Sequence, residues 1–147
     1  MTTPAPVLDR RADERADDIA EIRLLLADIE SGVNARDPDR CVARFAADTV
    51  SVTASGARAV GREAVRAAHE AAFAGALKAV VAHFQVLDVL FVRDDVAIAT
   101  TGAWAVQNGV AIDRDRPATV VTYVVTREPD GWWVAARQFT PATSSRR

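Results

Sequence analysis

No helical period survives past Gly75. Beyond it the apolar residues gather into β-rich runs at about 79–92, 95–107, 117–128 and 131–139. Upstream the pattern is different. Ile19, Ile22, Leu26, Ile29 and Val33 recur at spacings of three and four and therefore share one helical face. Helices first and strands afterwards is the order of an α+β domain, and it excludes an alternating parallel α/β sheet. The expected architecture is a set of N-terminal helices packed on an antiparallel sheet.

The first helix stops before Asp37-Pro38, because a residue preceding proline disfavours helical geometry. Asp37 then suits an N-cap and Pro38 a first helical position, which predicts a short second helix that buries Cys41, Val42 and Phe45 and ends near Asp48. Thr49 to Ala54 reads as a strand, with Ser55-Gly56 as its turn. Gly61 opens a third helix, on which Val65, Ala68, His69, Ala72 and Phe73 share a face. Arg93-Asp94-Asp95 and Asp130-Gly131 supply tight connections, so the later strands are expected to form an antiparallel meander. In the first long strand strict alternation places Val80, Ala82, Phe84, Val86, Leu90 and Val92 on one side and Val81, Leu87, Val89 and Phe91 on the other. Both faces are apolar, and three helices cover only one, so a homodimer formed through the sheet is expected.

The 147 residues suffice for one domain, read as residues 15–141, with loose segments at 1–14 and 142–147. A net charge of −2 and the absence of a basic stripe argue against a nucleic-acid partner. One cysteine, Cys41, excludes an intrachain disulfide, and two histidines make no zinc pattern, so no metal is expected. The opening Met1-Thr2-Thr3-Pro4-Ala5-Pro6 lacks a basic segment followed by an apolar one, and no run of 18 apolar residues occurs. The expectation is a cytoplasmic protein with no membrane partner.

Several phrases carry a resemblance: Val33-Asn34-Ala35-Arg36-Asp37-Pro38, Phe45-Ala46-Ala47-Asp48, Gly61-Arg62-Glu63-Ala64-Val65, Asp95-Val96-Ala97-Ile98-Ala99 and Asp130-Gly131-Trp132-Trp133-Val134-Ala135-Ala136. Over about residues 17–140 the chain resembles the nuclear transport factor 2-like, or SnoaL-like, superfamily. Its ending, Arg137-Gln138-Phe139-Thr140-Pro141, looks like the Gln-Asn-Thr-Pro closing of the SgcJ/EcaC subfamily, with Phe139 in place of the Asn. The resemblance implies a cone-like α+β barrel, open at one end, holding a hydrophobic small molecule. It also implies a setting in bacterial polyketide, enediyne or other antibiotic biosynthesis. Members of that subfamily are commonly labelled oxidoreductases, yet no G-x-G-x-x-G follows an expected strand, so no cofactor is expected. Cofactor-independent proton transfer is the implied chemistry: isomerisation, cyclisation or dehydration. A steroid-isomerase mechanism does not carry over, since the first helix has no tyrosine to complete an oxyanion site. A non-catalytic carrier, or a dimeric scaffold whose cone is filled by its own side chains, is the alternative.

The candidate catalytic residues are Asp48, Asp88 and His69. His69 falls in line with Val65 and Phe73, either as a proton shuttle in a cavity or as a satisfied core histidine. Asp88 interrupts an apolar strand face, where a carboxylate serves as a general base or pairs with an arginine. Asp48 falls where isomerase relatives place a catalytic carboxylate, which is equally an ordinary turn position. The candidate ligand contacts are Arg137, His83, Trp104, Tyr123, Trp133 and Phe139. Alternation puts Trp133, Ala135, Arg137 and Phe139 on one face, with Arg137 placed to clamp a carboxylate or enolate oxygen or to form an ion pair. His83 with Gln85 makes a polar spot suited to a pocket wall or a subunit interface, and Trp104 and Tyr123 add large amphipathic surfaces.

Overall fold

Asp37 does cap a helix, its side chain accepting from the Arg40 amide, but that helix is a single turn. In the computed structural model, which describes residues 2–8, 12–106 and 115–142, a 3-10 turn (Ala12–Arg15) leads into α1 (Ala16–Asn34) and α2 (Pro38–Cys41). There follow β1 (Phe45–Val52), β2 (Arg58–Val60), α3 (Arg62–Ala74), β3 (Val81–Arg93), β4 (Val96–Val106), β5 (Thr119–Glu128) and β6 (Gly131–Pro141). The expected second helix is therefore too long. From Phe45 onward the backbone is strand, because Arg44 and Phe45 join the ladder of β6: the Val134 amide donates to the Arg44 carbonyl at 2.8 Å. The expected loose ends fall partly at residues 1, 9–11 and 143–147, which lie outside the described residues, as does residue 107 of the expected strand 95–107.

The six strands form one sheet in the order β2-β1-β6-β5-β4-β3. β3 to β6 make the expected antiparallel meander, but β1 adds to it in parallel beside β6, and the short β2 closes back on β1. Gly131, at φ 117°, makes the tight β5–β6 turn that a side chain would strain, and a Cβ there would meet the Arg44 guanidinium at 2.8 Å. The helices pack against the concave side. Ile22, Leu26, Ile29 and Val33 of α1 and Val65 of α3 join Phe45, Phe91, Val125 and Val134 of the strands in one core. Each such burial is worth roughly 1.5–3 kcal/mol.

Bulges bend the strands and exchange their faces. In β3, Val86 pairs with Thr101 and Asp88 with Thr100, so Leu87 is an extra residue. Val80, Ala82, Phe84, Val86, Val89 and Phe91 consequently face inward, and strict alternation assigned Val89, Leu90 and Phe91 to the wrong sides. A second shift in β3 leaves Val92 unmatched, since Phe91 pairs with Ala97 and Arg93 with Val96, and a bulge in β6, where Val124 pairs with Ala136 but Val125 with Val134, leaves Ala135 unmatched.

Side chains of α1 reach across to β3, the outermost strand. Asn34 both donates to the Ala82 carbonyl (3.0 Å) and accepts from its amide (2.7 Å), and Glu30 accepts from the Phe84 amide at 2.7 Å. At the opposite end of α1, Asp18 accepts from Arg15 (2.9 Å) and from the Trp132 indole (3.1 Å), with Arg127 at 3.5 Å. Arg15 also stacks over Phe91 at 4.0 Å. That end of the cone is closed.

Candidate functional site

The other end holds a cavity of about 240 Å3. Its walls come from the last turns of α1 (Ile29, Val33), from Leu77 and Val80 before β3, and from the inner faces of β3, β4 and β5 at Ala82, Phe84, Ala103 and Thr119. Nearly all of this lining is apolar. The charged or titratable exceptions are Arg137, which β6 projects inward beside Phe139, and His69 on α3.

Arg137 is only 5% exposed. Its Nε donates to the Ser51 hydroxyl and its Nη2 meets His69 Nε2, both at 3.1 Å. The guanidinium lies between two aromatic rings, 5.0 Å from the centre of Phe45 and 4.7 Å from that of Phe139. A guanidinium only donates, so His69 Nε2 accepts and the ring proton resides on Nδ1. Burial, helped by the Arg137 charge, pushes the His69 pKa down to about 3, which keeps the imidazole neutral. The other groups near the guanidinium are uncharged too. Burial pushes the Cys41 thiol up to about 11, against the lowering effect of Arg137. Burial likewise raises the Tyr123 phenol, opposed by the Arg137 charge and hydrogen bond. Among the described residues no carboxylate forms an ion pair with Arg137, and the buried polar set of Thr49, Ser51, His69, Thr101 and Arg137 contains no acid. Thr101, on the inner face of β4 two residues from Ala103, has a buried hydroxyl with no hydrogen-bond partner in the structure.

The sequence candidates separate into three groups. Arg137, His69, Phe139 and Trp104 come together at the cavity, with the Trp104 ring lying over Gly102 and tilted against His83 at 5.6 Å. Tyr123 and His83 stand one layer away. Tyr123 faces Arg137 across the β5–β6 pair and is fully buried behind it, so it supports the cavity without lining it. His83 is half-buried, with Nδ1 3.8 Å from Glu30. Asp48, Asp88 and Trp133 lie elsewhere. Asp48 is an exposed residue within β1, not a turn residue. The Leu87 bulge turns Asp88 outward to solvent, which removes the apolar surroundings a general base on that face would have had. The Ala135 bulge does the same to Trp133: it sits under the Arg44 guanidinium at 4.1 Å and donates to Asp130, away from Arg137. Ser51 and Thr101 were not singled out by sequence, because a lone hydroxyl in a β run carries no pattern. No group of three potential metal ligands occurs among the described residues.

Helices cradled by a curved six-stranded sheet, with a small-molecule cavity at the open end, define the cystatin-like or nuclear transport factor 2-like cone. Within that class the SnoaL-like domain family matches residues 14–138, and the chain belongs to it. No curated protein matches this chain. Among solved structures, a cystatin-like domain of unknown function from Nostoc punctiforme is 22% identical, covering 87% of this chain and 79% of its own at a TM-score of 0.78. A putative scytalone dehydratase from Novosphingobium aromaticivorans is 16% identical, with 92% and 93% covered and a TM-score of 0.69. A ketosteroid isomerase-like protein from Erwinia carotovora is also 16% identical, with 86% and 98% covered and a TM-score of 0.65. No helix among the described residues is long and apolar enough to cross a membrane.

Proposed function

We propose that the protein holds a hydrophobic, oxygenated small molecule in this cavity and acts on it without a cofactor by moving a proton. The observation that carries the reading is the Arg137–His69 pair, a donor cluster and an ionisable ring meeting inside an otherwise apolar enclosure. A buried guanidinium aimed at a carbonyl oxygen stabilises the charge that develops there when a neighbouring proton is removed. His69 supplies the nitrogen. Its lone pair accepts from Arg137, so a substrate oxygen that takes over the guanidinium frees Nε2 to act as the base. The names of the dehydratase and isomerase relatives accord with such chemistry.

We place the substrate among polyketide-type intermediates of bacterial secondary metabolism. The SgcJ/EcaC-like ending at 137–141 supports this, as does a single lysine, Lys78, among 18 basic residues, the mark of a GC-rich bacterial coding sequence. One free cysteine fits a cytoplasmic location. Two copies are proposed to join through the outer sheet face, where Leu90, Ile98, Val124 and Ala136 form a continuous apolar row across four strands. Sedimentation at micromolar concentration should show a dimer, and a stable monomer would refute the interface. A carrier role is the second reading, favoured by the absence of any carboxylate from the cavity lining among the described residues. The filled-cone scaffold has less support, since the cavity is open and Trp133 points away from it.

Native mass spectrometry of protein purified from its own host, followed by turnover of any co-purifying molecule, tests the choice. Turnover lost in His69→Gln identifies the enzyme. A bound molecule that both forms return unchanged identifies the carrier.

A further inference from the structure

We propose that the ligand of this cavity is a monoanion, a compact aromatic or alicyclic carboxylic acid whose carboxylate seats on Arg137 and whose ring fills the apolar space beside Phe84 and Phe139. This rests on the reading of the cavity as a small-molecule site, and it adds the charge of the molecule.

Several arginines that hold this fold together are paired with acids, whereas the half-buried Arg36 is held by the backbone carbonyls of Val33, Asn34, Lys78 and Val80. Arg15, with 15% of its side chain exposed, is held by Asp18 and Asp94. Arg44 lies near Asp130, Arg40 is bound by Asp28, and Arg66 by Asp39 and Glu70. Arg137 is the more deeply buried, and it meets the Ser51 hydroxyl, the Tyr123 phenol, a neutral imidazole and two aromatic faces. A guanidinium does not discharge by losing its proton. An unpaired charge in such surroundings costs several kcal/mol, and close pairing with an opposite charge offsets that cost. Rings alone supply little of it. The missing negative charge must therefore arrive with whatever enters the cavity.

The number and kind of donors set the class of anion. A phosphate monoester brings close to two charges and three strongly hydrated oxygens, which calls for several cations or a cluster of amides. Here there is one guanidinium, and the imidazole that meets it is neutral and adds no charge. Two oxygens and one charge match that set, and a carboxylate is the group whose planar pair of oxygens fits a guanidinium edge. The remaining wall is apolar and the volume is about 240 Å3, just below the roughly 300–1,000 Å3 of common ligand pockets, which suits one or two rings.

The test uses matched probes and the full chain. Isothermal titration at pH 7.5 compares 2-naphthoate with 2-naphthalenemethanol, and benzoate with benzyl alcohol, pairs that differ in charge and little in shape. The acids should bind at least 30-fold more tightly than the alcohols, and Arg137→Met should abolish that preference while leaving alcohol binding within a factor of three. If Arg137→Met does not fold, Arg137→Lys, which keeps the charge and loses the planar edge, should weaken the acids about tenfold and leave the alcohols unaltered. Acids and alcohols binding equally well would overturn the anion while leaving the small-molecule site intact. Failure of all four probes to bind would overturn both.

Discussion

At the closed end of the cone the half-buried Asp18 gathers Arg15, Arg127 and the Trp132 indole, whereas at the open end the more deeply buried Arg137 meets only neutral groups. Packing differs in the same sense. Ile22 and Leu26 lie outside the lining of the cavity, while Ile29 and Val33, one and two turns further along the same helix, form its wall. One helix thus runs from a region satisfied by its own residues to a region that is not. Where a fold leaves both space and charge uncompensated in one place, the deficit marks a binding site more reliably than any single residue does.

The largest expected effect contrasts the two ends directly. Leu26→Ala should cost about 2–5 kcal/mol in denaturant unfolding, and Val33→Ala should fall at or below the bottom of that range, since Val33 already borders empty space. Equal costs would mean that the ends are equally well packed. Next comes pH. The folded-state pKa of His69, about 3, lies below the unfolded value of 6.5, so between those limits the unfolded chain binds a proton that the folded one refuses. The stabilisation is present above pH 6.5 and lost as pH falls. The step from pH 7 to pH 5 should remove about 2 kcal/mol in the wild type and not in His69→Gln, as read from the difference between their unfolding curves. Asp18→Asn should cost about 1–2 kcal/mol, because a charged acceptor for two donors becomes a neutral one. Arg137→Met should change stability least, by under about 1 kcal/mol, since the relief of an unpaired buried charge offsets the partners stranded at Ser51 and Tyr123. A loss well beyond that would make Arg137 a structural residue like Arg15.

The order of elements, the extent of the first and third helices and the meander were legible from periodicity, because each of those segments keeps its period for several turns or pleats. Arg137, His69 and Phe139 were legible as residues in phase with a buried face. What periodicity misses is an interruption of one residue. Leu87 and Ala135 are the extra residues of two bulges, and nothing in either segment announces them, yet each transfers a candidate, Asp88 or Trp133, to the other side of the sheet. The parallel addition of β1 to β6 was hidden for another reason: it is a pairing between residues some ninety positions apart, and Phe45 suits a helix face as well as a strand.

The contacts that Asn34 and Glu30 make with the Ala82 and Phe84 backbone have a consequence for how copies of this chain can meet. A bare outer strand is a template on which a neighbour's strand can grow, and the usual outcome is aggregation. At the start of β3 the groups such a neighbour would need, at Ala82 and Phe84, are already taken by the molecule's own helix, and the far margin of the sheet is the three-residue β2. A neighbour's strand thus finds the beginning of one edge blocked and the other edge too short to extend far, which disfavours growth of the sheet sideways into a filament.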